Sequence, residues 1–350
     1  MGGKEVAVRV LVTGGGGFIG GGVARRLLEL GHTVRSLARG EYPELANLGI
    51  DVRRGDIANE SAVESATRGC DAVIHTAAKA GVWGSRIEYE RANVVGTRNV
   101  IGACHKGGCG LLVFTSSPSV VFDGRHQENV DESAPYPGRF LASYPRTKAE
   151  AERLVLEANS PNLATVALRP HLVWGPGDRN LVPRVLERAH AGSLRSVRER
   201  SGQSRLVDST FIDNAVEAHE LALQSIARSG TARGKAYFIS NGEPLPMEEL
   251  LNRILEAAGL PAIRRTVSPL MAYTAGAVLE CVSALLHRCK EPPMTRFVAR
   301  QLATAHWFDL SAARRDLGYR PGVSLAEGFQ RLEAWLRSTS PGLKAFPWCN

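Results

Sequence analysis

Through its first half the chain alternates short apolar runs with longer segments whose apolar residues recur at helical spacing. Strand-like runs are Arg9–Thr13, Thr33–Ala38, Asp51–Arg54, Ala72–His75, Leu111–Thr115 and Ala164–Arg169. Helical patterns cover Phe18–Leu30, a short piece near Glu44–Leu48, Ser61–Thr67, Tyr89–His105 and Lys148–Asn159. Parallel neighbours need crossover connections, so this alternation predicts an α/β, Rossmann-type doubly wound parallel sheet covered on both faces. Ligands of such sheets bind beyond the carboxyl ends of the strands, where the strand order switches.

After Arg169-Pro170 the alternation stops. Trp174-Gly175-Pro176-Gly177-Asp178 reads as a turn, Leu181–Ala191 as a helix and Arg195–Arg205 as a basic loop. Phe211–Leu223 looks helical, Lys235–Ser240 supplies one more strand, and helices dominate from Pro244 onward. We expect a nucleotide-binding unit of residues 6–180 plus 206–242, and a smaller, mainly helical substrate lobe of 181–205 plus 243–345. Repeats and low-complexity linkers are absent, so one cooperative two-lobe unit is expected.

Two motifs carry chemistry. Thr13-Gly14-Gly15-Gly16-Gly17-Phe18-Ile19-Gly20 joins the first strand to the first helix with spacing T-G-x-x-G-x-x-G. Such a turn brings the backbone close to a pyrophosphate, and the helix N-terminus offers it unpaired N–H groups. Gly14, Gly17, Phe18, Ile19 and Gly20 are the expected contacts. The second motif is Tyr144-Pro145-Arg146-Thr147-Lys148 at the start of a helical pattern. Positions i and i+4 share a helix face. A nearby ammonium lowers a phenol from its usual pKa of about 10, which makes Tyr144 a proton donor to a forming alkoxide, with Lys148 as its tuner. Pro145 fits a first helical turn, where no N–H is required.

Composition narrows the partners. The formal net charge is +8, yet no basic stripe interleaved with aromatics marks a nucleic-acid surface. An anionic cofactor and substrate account for the excess. Cysteines 70, 104, 109, 281, 289 and 349 form no C-x-x-C pair, so no metal site is expected. Scattered thiols and a start, Met1-Gly2-Gly3-Lys4, that runs straight into the first strand suggest a cytoplasmic protein. The segment Val267–Leu286 is rich in Ala, Leu, Val and Met, contains Glu280, and is flanked by Arg264, Arg265, His287 and Arg288. Three readings are open: a buried or substrate-lining helix, which we prefer, an interfacial helix touching a membrane, or a span.

These motifs, in this order, resemble the extended short-chain dehydrogenase/reductase superfamily in its 3β-hydroxysteroid dehydrogenase/isomerase-like branch. Gly55-Asp56-Ile57, Asn93-Val94-Val95-Gly96-Thr97, Thr115-Ser116-Ser117, Leu168-Arg169-Pro170 and Trp307-Phe308…Ala313-Arg314-Arg315-Asp316-Leu317-Gly318-Tyr319 also fit. Three segments are similar to the 2-alkyl-3-oxoalkanoate reductases of bacterial long-chain olefin biosynthesis, a route in which the hydroxy acid is closed to a β-lactone. They are Ala77–Ser85, Val207–Asn214 and Tyr237–Pro244.

The resemblance implies that Asp56 and Ile57 lie near the adenine, that Thr76, Ala77 and Ala78 line the ribose and pyrophosphate, and that Asn93 organises the site. It also implies that Lys148 binds the nicotinamide ribose and that Ser117 aims the substrate carbonyl; Ser116 and Ser119 are the neighbouring alternatives. NAD-preferring relatives end the second strand with an acid. Here Ala38 stands in that place and Arg39 follows, so NADP(H) is expected, with Arg39 on the 2′-phosphate and Arg35 as a second contact. The implied substrate is a lipid-like β-keto acid with two alkyl arms. Lys79, His171 and Arg139 are candidates for its carboxylate. Trp83, Trp174 and the Met271–Leu286 helix are candidates for an apolar channel, and Arg169 reads as structural. A homodimer, and assembly with other enzymes of the pathway, are family expectations. Alternatives are a hydroxysteroid dehydrogenase, a sugar-nucleotide epimerase, which the apolar 267–286 segment disfavours, and a non-catalytic NADP sensor, which the intact Tyr144–Lys148 pair disfavours.

Overall fold

A computed structural model describes residues 7–198, 205–228, 230–286 and 291–339. Seven strands form the central sheet: β1 Arg9–Thr13, β2 Thr33–Ala38, β3 Asp51–Arg54, β4 Ala72–His75, β5 Leu111–Thr115, β6 Ala164–Pro170 and β7 Lys235–Ile239. All pairs are parallel, in the order β7-β6-β5-β4-β1-β2-β3. The chain steps outward from β1 to β3, then crosses back to β4 on the other side of β1. The switch point therefore lies between Thr13 and His75, which face each other in register. Val10, Leu11 and Val12 are fully buried, because helices cover both faces.

The helix Phe18–Glu29 packs against Ile212–Arg228 through its glycines: a Cβ on Gly22 would lie 2.7 Å from Val216. The single helix expected over Tyr89–His105 is instead three consecutive pieces. Arg86–Tyr89 is α-helical, Glu90–Val95 is a π-turn, and Gly96–Gly107 is α-helical again. Such bulges are frequent at functional sites, and Asn93 sits in this one. The helix expected from Lys148 begins earlier, at Ser143, so that Tyr144 and Pro145 lie in its first turn.

Short strands Leu245–Pro246, Leu206–Val207, His306–Phe308 and Gln127–Val130 form a second sheet in that order. Ser196–Val197, within the stretch read as a basic loop, pairs with Thr266–Val267. Farther on, the chain returns to the central sheet: Tyr237 Oη donates to Asp316 Oδ2 at 2.8 Å and Tyr319 Oη to the Ser240 carbonyl at 2.9 Å. Residues 199–204 and 340–345 of the expected lobe, together with His287, Arg288, Cys289, Cys349 and the first residues of the chain, lie outside the described residues.

The Val267–Leu286 segment departs from the preferred reading. It forms a helix, Pro269–Leu285, but Leu270, Met271, Val278, Val282 and Leu285 are exposed and no residue of the helix lines the cleft described below. Among the described residues no helix is long and apolar enough to cross a membrane.

Candidate active site

The glycine turn has no room for side chains. Gly14 has φ +75°, and a Cβ there would stand 2.9 Å from the Ala77 backbone; one on Gly20 would stand 2.3 Å from the Gly14 carbonyl oxygen. Gly17 caps the helix in an extended conformation, and the first turn carries no acid. The positive end of the helix thus faces the cleft without a counter-charge. Thr76 Oγ1 donates to the Thr13 carbonyl at 2.8 Å, tying the β4 exit to this turn.

The cleft, about 1250 Å³, runs over the strand ends. It collects Gly14, Gly17, Phe18, Ile19, Gly20, Arg39, Asp56, Ile57, Thr76, Ala77, Ala78, Ser117, Tyr144 and Lys148 on one surface. Phe297, Gln301, Leu181 and Arg184 also line it. Those residues, like Tyr42 and Arg91, carry no motif, so sequence reasoning did not reach them.

Tyr144 is half-buried. Burial pushes its phenol above the usual range, and a hydrogen bond with Ser117 works against that rise. Ser117 is the N-cap of the short helix Pro118–Val121: its Oγ accepts from Ser119 N at 3.2 Å and lies 3.0 Å from Ser119 Oγ. This cap fixes the serine rotamer. Ser116 is buried and its hydroxyl has no partner among the described residues. Ser116, Ser117 and Ser119 all line the cleft with Tyr144.

Lys148 is buried against the sheet at the edge of the cleft. Its Nζ donates to the Thr115 carbonyl at 2.5 Å and lies 4.0 Å from the centre of the Phe114 ring. Burial lowers its pKa to about 7, with the Glu152 carboxylate opposing the fall. The ammonium thus leans on the end of β5. Behind it, Glu152 accepts from Tyr136 Oη at 2.6 Å and from Arg169 at 2.7 and 3.0 Å, an ion pair closed to solvent. This is the structural role read for Arg169.

Two buried neutral histidines brace the strand ends. Burial lowers His219 to about 4; its Nδ1 donates to the Ala215 carbonyl, leaving Nε2 to accept from Thr115 Oγ1 at 2.7 Å. His75, lowered to about 3, bridges Thr13 Oγ1 at 2.6 Å and Thr97 Oγ1 at 3.0 Å. Asn93, expected among the cofactor contacts, is buried off the cleft. Its Oδ1 accepts from Lys79 N at 2.7 Å, and its Nδ2 donates to the Lys79 carbonyl at 3.2 Å and to Thr147 Oγ1 at 3.0 Å. It clamps the loop after β4 to the Tyr144 helix.

The charged candidates separate clearly. Arg39 is exposed on the cleft, and its guanidinium has no ion-pair partner among the described residues. Arg35 is engaged elsewhere, with Asp51 at 2.7 Å and the Ala66 carbonyl at 2.7 Å, and is not available to a phosphate. Asp56 accepts from Ala58 N at 3.0 Å and pairs with Arg91 at 3.2 Å. Lys79 pairs with Glu88 at 2.8 Å, and Arg139 does not line the cleft. His171 lines it, but burial and the neighbouring His306 hold its imidazole neutral, so it offers a substrate carboxylate no charge. Trp174 belongs to the core, stacked 4.3 Å from Phe329, with Nε1 donating to Ser209 Oγ at 3.1 Å. Trp83 does not line the cleft; its carbonyl accepts from Tyr89 Oη at 3.0 Å.

The profile of the 3-beta hydroxysteroid dehydrogenase/isomerase family matches residues 11–270. The chain belongs to that family. As a member of the 3-beta hydroxysteroid dehydrogenase/isomerase family it is an oxidoreductase. It is 52% identical over 330 residues to a 2-alkyl-3-oxoalkanoate reductase of Stenotrophomonas maltophilia (strain K279a), covering 93% of this chain and 99% of that protein. A protein of the same description from Shewanella oneidensis is 48% identical over 333 residues, covering 93% and 85%. Among solved structures, the UDP-glucose 4-epimerase of Thermus thermophilus in complex with NAD superposes with TM-score 0.71 at 26% identity, covering 94% of this chain and 99% of that one. This family member thus shares the Rossmann sheet of that neighbour.

Proposed function

We propose that the chain uses NADPH to reduce the 3-keto group of a 2-alkyl-3-oxoalkanoate to the 3-hydroxy acid, as a step of olefin or β-lactone biosynthesis. Identity of 52% spanning nearly the full length of a reductase of that description supports the substrate class. The cofactor fits the residues present. The side-chain-free turn Gly14–Gly17 and its bare helix end suit a pyrophosphate. Ala38 removes the carboxylate that would repel a 2′-phosphate, and the unpaired Arg39 would bind it. Asp56, Ile57 and Thr76–Ala78 would border the adenosine.

When bound, the nicotinamide supplies the hydride that reduces the carbonyl carbon. The chain handles the proton and the oxygen. Tyr144 donates its phenolic proton to the developing alkoxide, and burial keeps that proton in place at neutral pH until it is needed. Ser117, its rotamer held by Ser119, donates to the same oxygen and orients the carbonyl. One observation carries the reading: Tyr144 and Ser117 line one cleft that begins at the glycine turn and passes Arg39. The test is NADPH oxidation by the purified chain with a panel of 2-alkyl-3-keto acids and a panel of hydroxysteroids and ketosteroids. Turnover of the keto acids is expected, and activity confined to steroids would overturn the assignment.

A further inference from the structure

The helix Pro269–Leu285 is built inside out. In an ordinary surface helix the large apolar residues face the core. Here the buried positions are small: Ala272, Gly276 and Ser283. They let the helix Arg296–Ala303 approach closely, since a Cβ on Gly276 would lie 2.7 Å from the Thr295 carbonyl carbon. The outer face carries Leu270 at 72% exposure, Met271 at 61%, Val278 at 61% and Leu285 at 73%, with Val282 also exposed. Its one acid, Glu280, is turned inward, where it accepts from Arg296 N at 2.7 Å and Arg296 Nε at 2.6 Å. What remains outside is a continuous apolar stripe with no charge in it. Exposed stripes of this kind mark contact surfaces.

The charges around the stripe choose its partner. Arg264 and Arg265, both exposed, stand just before its N-terminal end. A second copy docked in parallel along this stripe would set these arginines against their own counterparts. An anionic lipid surface would instead meet the cations of Arg264 and Arg265 at one end and apolar side chains beyond them. The helix is about 25 Å long at 1.5 Å per residue, short of the roughly 30 Å hydrocarbon core, so it lies along a bilayer rather than through it. Its packing partner also matters. Phe297 and Gln301, on the helix Arg296–Ala303, line the cleft.

We infer that the outer face of Pro269–Leu285 seats the smaller lobe on an anionic membrane surface. The cleft wall built on the neighbouring helix then stands close to that surface. Transfer of a long-chain substrate directly from the bilayer rests on the proposed function; the membrane contact itself does not.

The test is co-sedimentation of the full-length chain with vesicles of phosphatidylglycerol mixed with phosphatidylcholine, and with vesicles of phosphatidylcholine alone, without substrate. The chain is expected to pellet with the anionic vesicles, at least about tenfold more than with the neutral ones. The double variant Val278→Asp/Leu285→Asp should lose binding to both while keeping its unfolding midpoint, since both positions are exposed. Arg264→Glu/Arg265→Glu, a second variant that leaves the stripe intact, should lose the preference for anionic lipid. Absence of pelleting with either vesicle, or equal pelleting by the aspartate variant, overturns the inference. So does a dimer that the aspartate variant dissolves while the parent ignores vesicles, because the face then belongs to a second copy. Lack of keto-acid reduction would leave the vesicle result standing, so failure of the proposed function and failure of this inference are separable.

Discussion

The ammonium of Lys148 rests on the carbonyl of Thr115, 2.5 Å away, although its helix brings it one turn from Tyr144. The carbonyl ends β5, and the hydroxyl of the same threonine is held by His219. The lysine is thereby fixed by the sheet and shielded from solvent. That shielding, which lowers its pKa to about 7, has a measurable consequence for stability. Below pH 7 the lysine is protonated in the folded and unfolded chain alike, and the folded state bears a buried charge. Between about 7 and the ordinary lysine value of roughly 10.4, only the unfolded chain keeps the proton, so stability rises with pH across that window. Lys148→Met removes the buried charge. Its gain in unfolding midpoint over the parent should be largest at pH 6 and shrink toward pH 9, in thermal melts at both values. A gain that grows with pH would contradict the placement of this group.

Tyr144→Phe deletes the proton donor and keeps the ring. Proton transfer of this kind contributes roughly 10² to 10⁴-fold, so kcat for the keto acid should fall by about that much. The dissociation constant for NADPH, read by fluorescence titration, should stay near that of the parent. Full activity in the phenylalanine variant would remove Tyr144 from the mechanism.

Arg39→Ala should erode the choice of cofactor. A hydrogen bond to a charged group contributes about 1.5–3 kcal/mol, equivalent to roughly ten- to a hundredfold. The ratio of kcat/KM for NADPH to that for NADH should drop by such a factor, mostly through KM for NADPH. Arg35→Ala should leave the ratio unchanged, since Arg35 is bound to Asp51.

Glu152 and Arg169 form a pair from which neither member can be removed alone. Glu152→Leu strands a buried guanidinium and should cost about 3–5 kcal/mol of unfolding free energy. Adding Arg169→Met should restore much of that loss, because an apolar pair of similar volume needs no counter-charge. Urea denaturation of the two single variants and the double variant measures the coupling. Simple additivity would show that the pair is not a unit.

Much of the fold was legible along the chain. The strands from Arg9–Thr13 to Ala164–Pro170 and the helices between them follow from local periodicity, and the glycine turn from residues that leave no space for a Cβ. The π-turn at Glu90–Val95 was not legible, since its apolar spacing is that of an ordinary helix. The site was legible where chemistry lies in a compact motif, as at Gly14–Gly20 and Tyr144–Lys148. It was not where function depends on a distant partner. Arg35 and Arg39 look alike in the sequence, and only the position of Asp51 separates them. Trp174 reads as a channel residue until Phe329, far along the chain, is seen stacked on it.

By itself the sequence determined the order of the elements, the turn that can cradle a pyrophosphate, and the spacing of phenol and lysine on one helix. Each of these is set by residues within one or two turns of chain. The tertiary structure alone decided where the Lys148 ammonium points and that Asn93 clamps two elements instead of facing the cleft. It also turned the apolar side of Pro269–Leu285 outward, because the small residues of that helix, not its large ones, admit a close neighbour. These outcomes depend on contacts such as Thr115 with His219, 104 positions apart, which no local pattern encodes.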